Sequence, residues 1–284
     1  MIRYSTLLLA LTLAACGGES AEEPTTQNEA AKPAATEAAP VKKLAKFDAA
    51  TLKAEALKVA LVPSPAEMQK ALSNAGLESQ LSSLVKKRDI SVEVENKDQV
   101  AVRTGVILAD LVLTVKEATN EEQLQRLARI KQGFALLGAG NDVAATIDEL
   151  ADKIKSGSGS KDDLLKEFDE LSGVLVPELE YEAGDWVVPL IQAGSWLEGA
   201  HLVAGAVKSE GKFDEAGKLL KQPHVVQYFI DYVQREGKEK APDQVISKLQ
   251  ETLTTLKETT SKAVIEEDDV NTIHSATAAV LTML

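Results

Sequence analysis

The sequence predicts an all-α protein, a multi-helix bundle of about ten to twelve helices in an orthogonal or layered arrangement after a disordered tether. From Phe47 onward, apolar residues recur three and four positions apart, which is the spacing of one helix face. Alternating β-branched runs, which would indicate strands, are few. The start signal Ser64-Pro65-Ala66-Glu67 is strong, because Ser is a good cap, Pro suits the first helical position and Glu completes a capping box.

The first part of the domain contains three predicted helices and a connector. One helix spans Asp48 to Leu61 and stops at Val62-Pro63. The next starts at the Ser64 signal and ends at Gly76, and a short third helix covers Leu77 to Lys87. The strict alternation from Ile90 to Glu95 would suit a short strand, but no partner strand is apparent, so we interpret it as an extended connector.

A central helix is predicted from Val100 to Val115, since this run is strongly apolar yet too short and too charged to span a bilayer. Later helices are predicted at Asn120 to Leu137, Asp142 to Lys155, Asp162 to Glu180, Trp186 to Val207, Phe213 to Lys221, Pro223 to Glu236, Pro242 to Lys262 and Asp269 to Met283. Asn120 with Gln123 is interpreted as a start signal, Ser160 as a cap, and Pro177 as a kink or break.

Trp186 to Val207 is the most apolar stretch after the amino-terminal signal, and small residues are scattered through it. In water this pattern is typical of a buried helix whose neighbours approach closely. Each Gly costs about 1 kcal/mol of helix propensity, which packing must offset.

An apolar run near the amino terminus leads into the only cysteine. Arg3 precedes Leu7 to Leu13, a run of signal-peptide length that falls far short of the roughly 20 residues needed to span a bilayer. The following Leu13-Ala14-Ala15-Cys16 resembles the lipobox of bacterial lipoproteins. The resemblance implies cleavage before Cys16 and lipidation of its thiol, with acyl chains such as palmitate. The alternative is a plain secretory signal, which would leave an unpaired thiol in an oxidising compartment.

Three segments are therefore predicted: the signal peptide in residues 1–15, the lipidated cysteine and a flexible Ala/Pro/Glu tether in 16–45, and an all-helical domain in 46–284. The tether has almost no large apolar residue, so burial cannot offset the entropy lost on ordering. Two or three acyl chains, at about 0.8 kcal/mol per methylene, would anchor the chain to the membrane stably. By the same resemblance, Gly17 implies sorting to the outer membrane, most simply on its periplasmic side, with surface exposure left open.

Composition excludes several classes of function. The formal net charge is −13, and basic residues cluster only at Lys42-Lys43 and Lys86-Lys87-Arg88, so nucleic acid is not an expected partner. Ser195 lacks the Gly-x-Ser-x-Gly elbow of hydrolases. Aromatics make up 4% of the chain and no Gly-rich loop follows a strand, so nucleotide binding finds no support. We predict no catalytic residues, no cofactor and no enzymatic activity.

Glu198 and His201 share one helix face, and a Glu-x-x-His pair is half of the ligand set in carboxylate-bridged di-iron bundles. The other half is missing, because neither His224 nor His274 has a Glu three residues before it. No metal site is therefore predicted. We favour a buried polar network in which Glu198 pairs with Arg103 or His201.

Arg103 and Asp110 lie two turns apart on the central helix, which suits an internal ion-pair network or the binding of an anionic group in a pocket. Trp196, with the other large aromatics Trp186, Tyr228 and Phe229, is either part of the core or the lining of an apolar cavity.

Three motifs resemble a group of uncharacterised helical lipoproteins of Bacteroidetes-type bacteria. They are Val62-Pro63-Ser64-Pro65-Ala66-Glu67, Arg103-Thr104-Gly105-x-x-x-Ala109-Asp110 and Gly194-Ser195-Trp196-Leu197-Glu198-Gly199. The resemblance implies an α-helical domain anchored at the outer membrane and supplies no activity. It also implies that Arg103, Asp110, Trp196 and Glu198 belong to one site, structural or functional.

Two functions remain open. The first is a non-enzymatic binding or assembly module of the cell envelope, held at the membrane by its amino-terminal lipid and contacting an envelope protein or polymer. The second is a helical carrier or sensor that holds an apolar or amphipathic small molecule, with Arg103 at the anionic end of that ligand. An enzyme would need Glu198 and His201 to meet Asp110 around a metal. A packed core beside Trp196 and Arg103 favours the first function, and a pocket there favours the second.

Overall fold

A computed structural model of the chain describes residues 62–85, 90–237 and 243–284. These residues are predominantly helical and contain no strand over those ranges, which confirms the all-α prediction. The predicted signal peptide, Cys16, the tether, the helix from Asp48 to Leu61 and the basic run Lys86-Lys87-Arg88 lie outside the described residues.

The helices follow the predicted order closely. They are α1 (Pro65–Asn74), α2 (Leu81–Val85), α3 (Lys97–Leu113), α4 (Asn120–Leu137), α5 (Asn141–Ser156), α6 (Lys161–Glu170), α7 (Val176–Ala183), α8 (Val187–Glu210), α9 (Phe213–Leu220), α10 (Pro223–Glu236), α11 (Asp243–Thr260) and α12 (Glu267–Leu281). A 3-10 turn at Glu78–Gln80 precedes α2. Residues 90–95 form neither helix nor strand, which confirms that this segment is a connector.

Capping side chains determine where several helices begin. The Ser64 hydroxyl accepts a hydrogen bond from the Glu67 N–H at 3.1 Å, and the Glu67 carboxylate accepts one from the Ser64 N–H at 2.9 Å, so the predicted capping box is confirmed. Ser160 caps α6 as predicted.

The predicted bounds of α4 are confirmed, but its cap lies one residue before the predicted signal. Thr119, with extended backbone, is the cap, and its hydroxyl accepts a hydrogen bond from the Glu122 N–H at 3.2 Å. The Asn120 amide instead donates to the Ile154 carbonyl at 3.0 Å, which links the start of α4 to the end of α5. Thr and Asn are both good caps, and here the backbone turns at the threonine.

The helix predicted from Asp162 to Glu180 is interrupted ahead of Pro177. A five-residue π-helix, Leu171–Leu175, joins α6 to α7, and Pro177 is the second residue of α7. Proline has no N–H to donate to the preceding turn. The backbone there adopts the wider π-helical turn, and the chain continues as a helix.

Helices α3 and α8 pack against each other in the middle of the described bundle and contribute to two hydrophobic clusters. One cluster joins the start of α8 to α3, α4, α5, α6 and α7. The other joins the rest of α8 to α1, α2 and the helices from α9 to α12. Helix α8 is buried along most of its length, as its apolar, small-residue sequence predicted.

Candidate functional site

An apolar cavity of about 250 Å³ lies between α3, α8, α10, α11 and the end of α12. Helix α8 supplies one wall through Leu190, Ala193, Trp196 and Leu197. The other walls come from Val102 of α3, from one face each of α10 and α11, and from Val280, Met283 and Leu284. An apolar hollow enclosed by several helices is the usual form of a small-molecule site in a bundle.

Trp196 is held in a fixed position in the wall of the cavity. Its side chain is 3% exposed, and its indole N–H donates a hydrogen bond to the Gln222 side-chain oxygen at 2.7 Å. The ring packs at a tilted angle against Phe229 of α10, with 5.5 Å between the ring centroids. The aromatic wall therefore joins α8 to α10.

Gln222 occupies the position just before α10, where Pro223 is the first helical residue. Its amide nitrogen donates to the Leu219 carbonyl at 3.2 Å, which orients the amide oxygen toward Trp196. A short link between α9 and α10 thus supplies the acceptor for the buried indole.

The cavity is partly open to solvent, and its lining includes polar residues. Val245 and Met283 there are 43% and 41% exposed. Asn96, the cap of α3, accepts a hydrogen bond from the Gln99 N–H at 3.0 Å, and both residues line the cavity. The charged lining residues are Asp98 and Glu236, and within the described part of the chain no lysine or arginine lines it.

Tyr232 also lines the cavity, and its hydroxyl oxygen is buried without a hydrogen-bond partner among the described residues. Burial raises the pKa of Tyr232 to about 12, and the negative charges of Asp98 and Glu236 act in the same direction. The guanidinium of Arg235, 5.7 Å from the ring centroid, opposes that shift. The phenol therefore stays protonated at neutral pH.

Arg103 does not line the cavity but fixes one of its edges. One guanidinium nitrogen donates to the Ser91 carbonyl at 2.7 Å, and the other donates to the backbone oxygen of Leu284, which does line the cavity. The side chain thus ties α3 to the connector before it and to the segment after α12.

Asp110 lies elsewhere, toward α4. Its side chain is buried, and its negative charge acts on the guanidinium of Arg126. Burial lowers the pKa of Arg126, and the charges of Asp110 and Glu122 oppose that effect. Arg126 also donates to the Thr114 hydroxyl at 2.7 Å, and that hydroxyl donates to the Asp110 carbonyl at 2.6 Å.

Glu198 and His201 lie on the later part of α8, which packs in the hydrophobic cluster with α1, α2 and the helices from α9 to α12. Glu198 is fully buried. The ring of His201 stacks on that of His274 of α12, with 4.3 Å between centroids and 21° between planes. Nδ1 of His201 lies 3.2 Å from the Thr277 hydroxyl, so His201 belongs to the α8–α12 contact.

Of the five residues predicted for the site, the structure places Trp196 in the cavity wall and Arg103 at its edge, while Asp110, Glu198 and His201 do not line it. Sequence reasoning missed Gln222 and Tyr232. One signal for the α10 wall exists, since Phe229, Tyr232, Val233 and Glu236 follow the helical spacing of three and four.

Comparisons with known proteins found no matching family model, no matching curated protein and no matching solved structure. Among the residues described, no helix is long and apolar enough to cross a membrane. Over the same ranges, no group of three or more His, Cys, Asp and Glu side chains is arranged to hold a metal ion. The resemblance to helical lipoproteins stays a prediction from sequence.

Proposed function

We propose that this chain is a lipid-anchored lipoprotein of the cell envelope whose helical domain carries or senses an apolar or amphipathic small molecule, without catalysing a reaction. The observation that carries the proposal is the apolar cavity beside Trp196. The membrane attachment rests on the lipobox at Leu13-Ala14-Ala15-Cys16, and Gly17 supports the periplasmic side of the outer membrane.

The size and lining of the cavity support a ligand rather than an accidental packing defect. At about 250 Å³ it exceeds the roughly 150 Å³ apolar cavity that is large enough to hold benzene. Hydrogen bonds donated by Trp196 and by Arg103 hold two edges of the cavity before any ligand arrives, and such preorganisation reduces the entropy lost on binding.

The other function considered, an assembly module that binds an envelope protein, is supported less well. A contiguous exposed apolar patch would indicate a protein interface. Among the described residues the large exposed apolar side chains are Leu136, Tyr181, Val245, Val264 and Met283. Val245 and Met283 both line the cavity, and the lining includes none of the other three.

Native mass spectrometry of the full mature chain, purified gently from its own host, tests the proposal. We expect a discrete additional mass that is lost in Ala193→Leu, because the larger side chain would fill the cavity. Trp186→Phe is the control, since Trp186 lies before α8 outside the cavity and should leave the additional mass in place. A bare protein mass that added apolar amphiphiles do not change would contradict the proposal.

A further inference from the structure

We infer that Trp196 sets the depth of the cavity, so that this side chain determines how long an apolar ligand the protein accepts. The inference rests on the proposed function and adds to it the residue that selects the ligand by length. A second, smaller hollow of about 10 Å³ carries the inference. Trp196 lines both the cavity and the small hollow, and among the described residues no other residue lines both.

The cavity and the small hollow follow one another along the contact between α8 and α11. On α11, Leu249 and Leu253 line the cavity. Leu256 and Thr260 line the small hollow. These four residues are spaced four, three and four apart, so they lie on one face of α11 in successive turns. A chain of apolar atoms that continued from the cavity along this face would therefore enter the small hollow.

Helix α8 places Trp196 between the two spaces. The α8 residues that line the cavity end at Leu197, and those that line the small hollow continue from Trp196 to Ala200 and Val203, one and two turns later. The hydrogen bond from the indole N–H to Gln222 holds the ring in this position. Turning the ring aside would leave a buried donor without its acceptor, so the wall that it forms is a fixed one.

The small hollow suits an apolar chain but is too small to admit one in the native protein. Met68 and Ile273 are among the apolar residues of its wall. Its two polar residues already have partners: Gln222 accepts from the indole, and the Thr260 hydroxyl donates to the Lys257 carbonyl at 3.3 Å. A hollow of about 10 Å³ has room for one water molecule at most. A smaller side chain at position 196 would join it to the cavity.

The straight-chain alkanols from hexanol to dodecanol test the inference, because they are neutral and differ only in length. Isothermal titration calorimetry measures their affinity for the mature chain, residues 16–284, with Cys16→Ser so that neither lipid nor detergent is present. For the native sequence we expect affinity to rise by up to roughly fourfold per methylene to a limiting length and then to level off.

Trp196→Leu should move this limit by about two methylenes. The alkanol two carbons beyond the native limit should then bind at least about fivefold more tightly than it binds the native sequence. Circular dichroism establishes that the variant is folded. If Trp196→Leu does not fold, Trp196→Phe takes its place, because the phenyl ring keeps more of the packing and should still move the limit by about one methylene.

Two further variants separate depth from a general loosening of the fold. Trp186→Leu makes the same substitution at an indole that lines neither space, and it should leave the limit unchanged. Ala200→Leu added to Trp196→Leu nearly restores the summed side-chain volume, and a side chain at position 200 leans along the helix toward position 196. The double variant should therefore return the limit to its native length.

The possible results distinguish the two proposals. If no alkanol binds the native sequence, the proposed function fails. If alkanols bind the native sequence but their affinity shows no limiting length, the proposed function stands and the inference about Trp196 is overturned. A limit that folded Trp196 variants do not move, that Trp186→Leu moves equally, or that Ala200→Leu does not restore would overturn it as well.

Discussion

Gly105 of α3 and Gly194 of α8 each lie directly against the backbone of the other helix. A methyl group on Gly105 would overlap the carbonyl oxygen of Ile191, and one on Gly194 would overlap the carbonyl oxygen of Val102. The hydroxyl of Ser195 donates to the Gly105 carbonyl at 2.9 Å across the same crossing. The two central helices of the described bundle are therefore held at a spacing that only glycine allows.

Gly105→Ala and Gly194→Ala should each lower the free energy of unfolding by about 3 kcal/mol, because an added methyl group must push one helix away from the other. Urea unfolding followed by circular dichroism measures the loss. Gly217→Ala is the control, since Gly217 lies within α9 and a methyl group there meets nothing within 4 Å. The control should gain up to about 1 kcal/mol from helix propensity, and equal losses at all three positions would contradict the close-crossing argument.

Tyr232→Phe should stabilise the fold. The Tyr232 hydroxyl is buried without a hydrogen-bond partner among the described residues, so its removal eliminates a desolvation cost of about 1 kcal/mol or more. Thermal and urea unfolding would both detect the gain. Tyr181→Phe is the matched control, because Tyr181 is 95% exposed and its hydroxyl is solvated. A loss of stability in Tyr232→Phe would mean that the hydroxyl has a partner.

Asp269 should make the stability of the fold depend on pH. Burial alone would raise the pKa of this carboxyl, but the Lys262 ammonium at 2.5 Å and the Glu266 N–H at 3.1 Å outweigh burial and hold the pKa below its ordinary value. The native state therefore binds the proton less readily than the unfolded state. This contribution to stability is complete above the unfolded pKa and is lost as pH falls through the lower folded pKa.

Asp269→Asn should accordingly cost about 1 kcal/mol at pH 7, and the difference from the native sequence should shrink below about pH 4. Unfolding titrations at a series of pH values measure it. Asp268→Asn serves as the control, because Asp268 is the exposed neighbour in the same first turn of α12. A cost at Asp269 that does not change with pH would assign its effect to packing instead of charge.

The positions of the helices depend on capping residues, proline and glycine close to each helix end, and for that reason most helix bounds were predictable from the sequence. Pro223 at the first position and Gly237 after the last residue place α10 where the structure has it. The start of α4 at Asn120 was predicted, but its cap was missed because Thr119 and Asn120 are neighbouring good caps, and only the backbone conformation decides between them. The π-helix before Pro177 was not predicted. Proline lacks a backbone N–H and so predicts an interruption of the α-helix, but it does not predict whether that interruption is a kink, a break or a π-helix.

The candidate site was less predictable because its walls come from helices far apart in sequence. Helical spacing correctly placed Asp110 and Glu198 in buried positions, but spacing on one helix does not say which other helix that face meets. Trp196 was identified as a large aromatic residue and through the resemblance to helical lipoproteins, whereas its partner Gln222 lies 26 residues later in a link between helices. Asp98 of α3 and Glu236 of α10 both line the cavity, which is a tertiary property that spacing along one helix does not predict.

The hydrogen bond between Trp196 and Gln222 should be measurable as a coupling between the two residues. Gln222→Ala leaves the indole N–H, which is buried with Trp196, without its acceptor, so the free energy of unfolding should fall by about 1–3 kcal/mol. In a Trp196→Phe background the donor is absent, and Gln222→Ala should then cost at least about 1 kcal/mol less. A double-mutant cycle by urea unfolding measures the difference. Additive losses would show that Gln222 acts only through its contact with the Leu219 carbonyl.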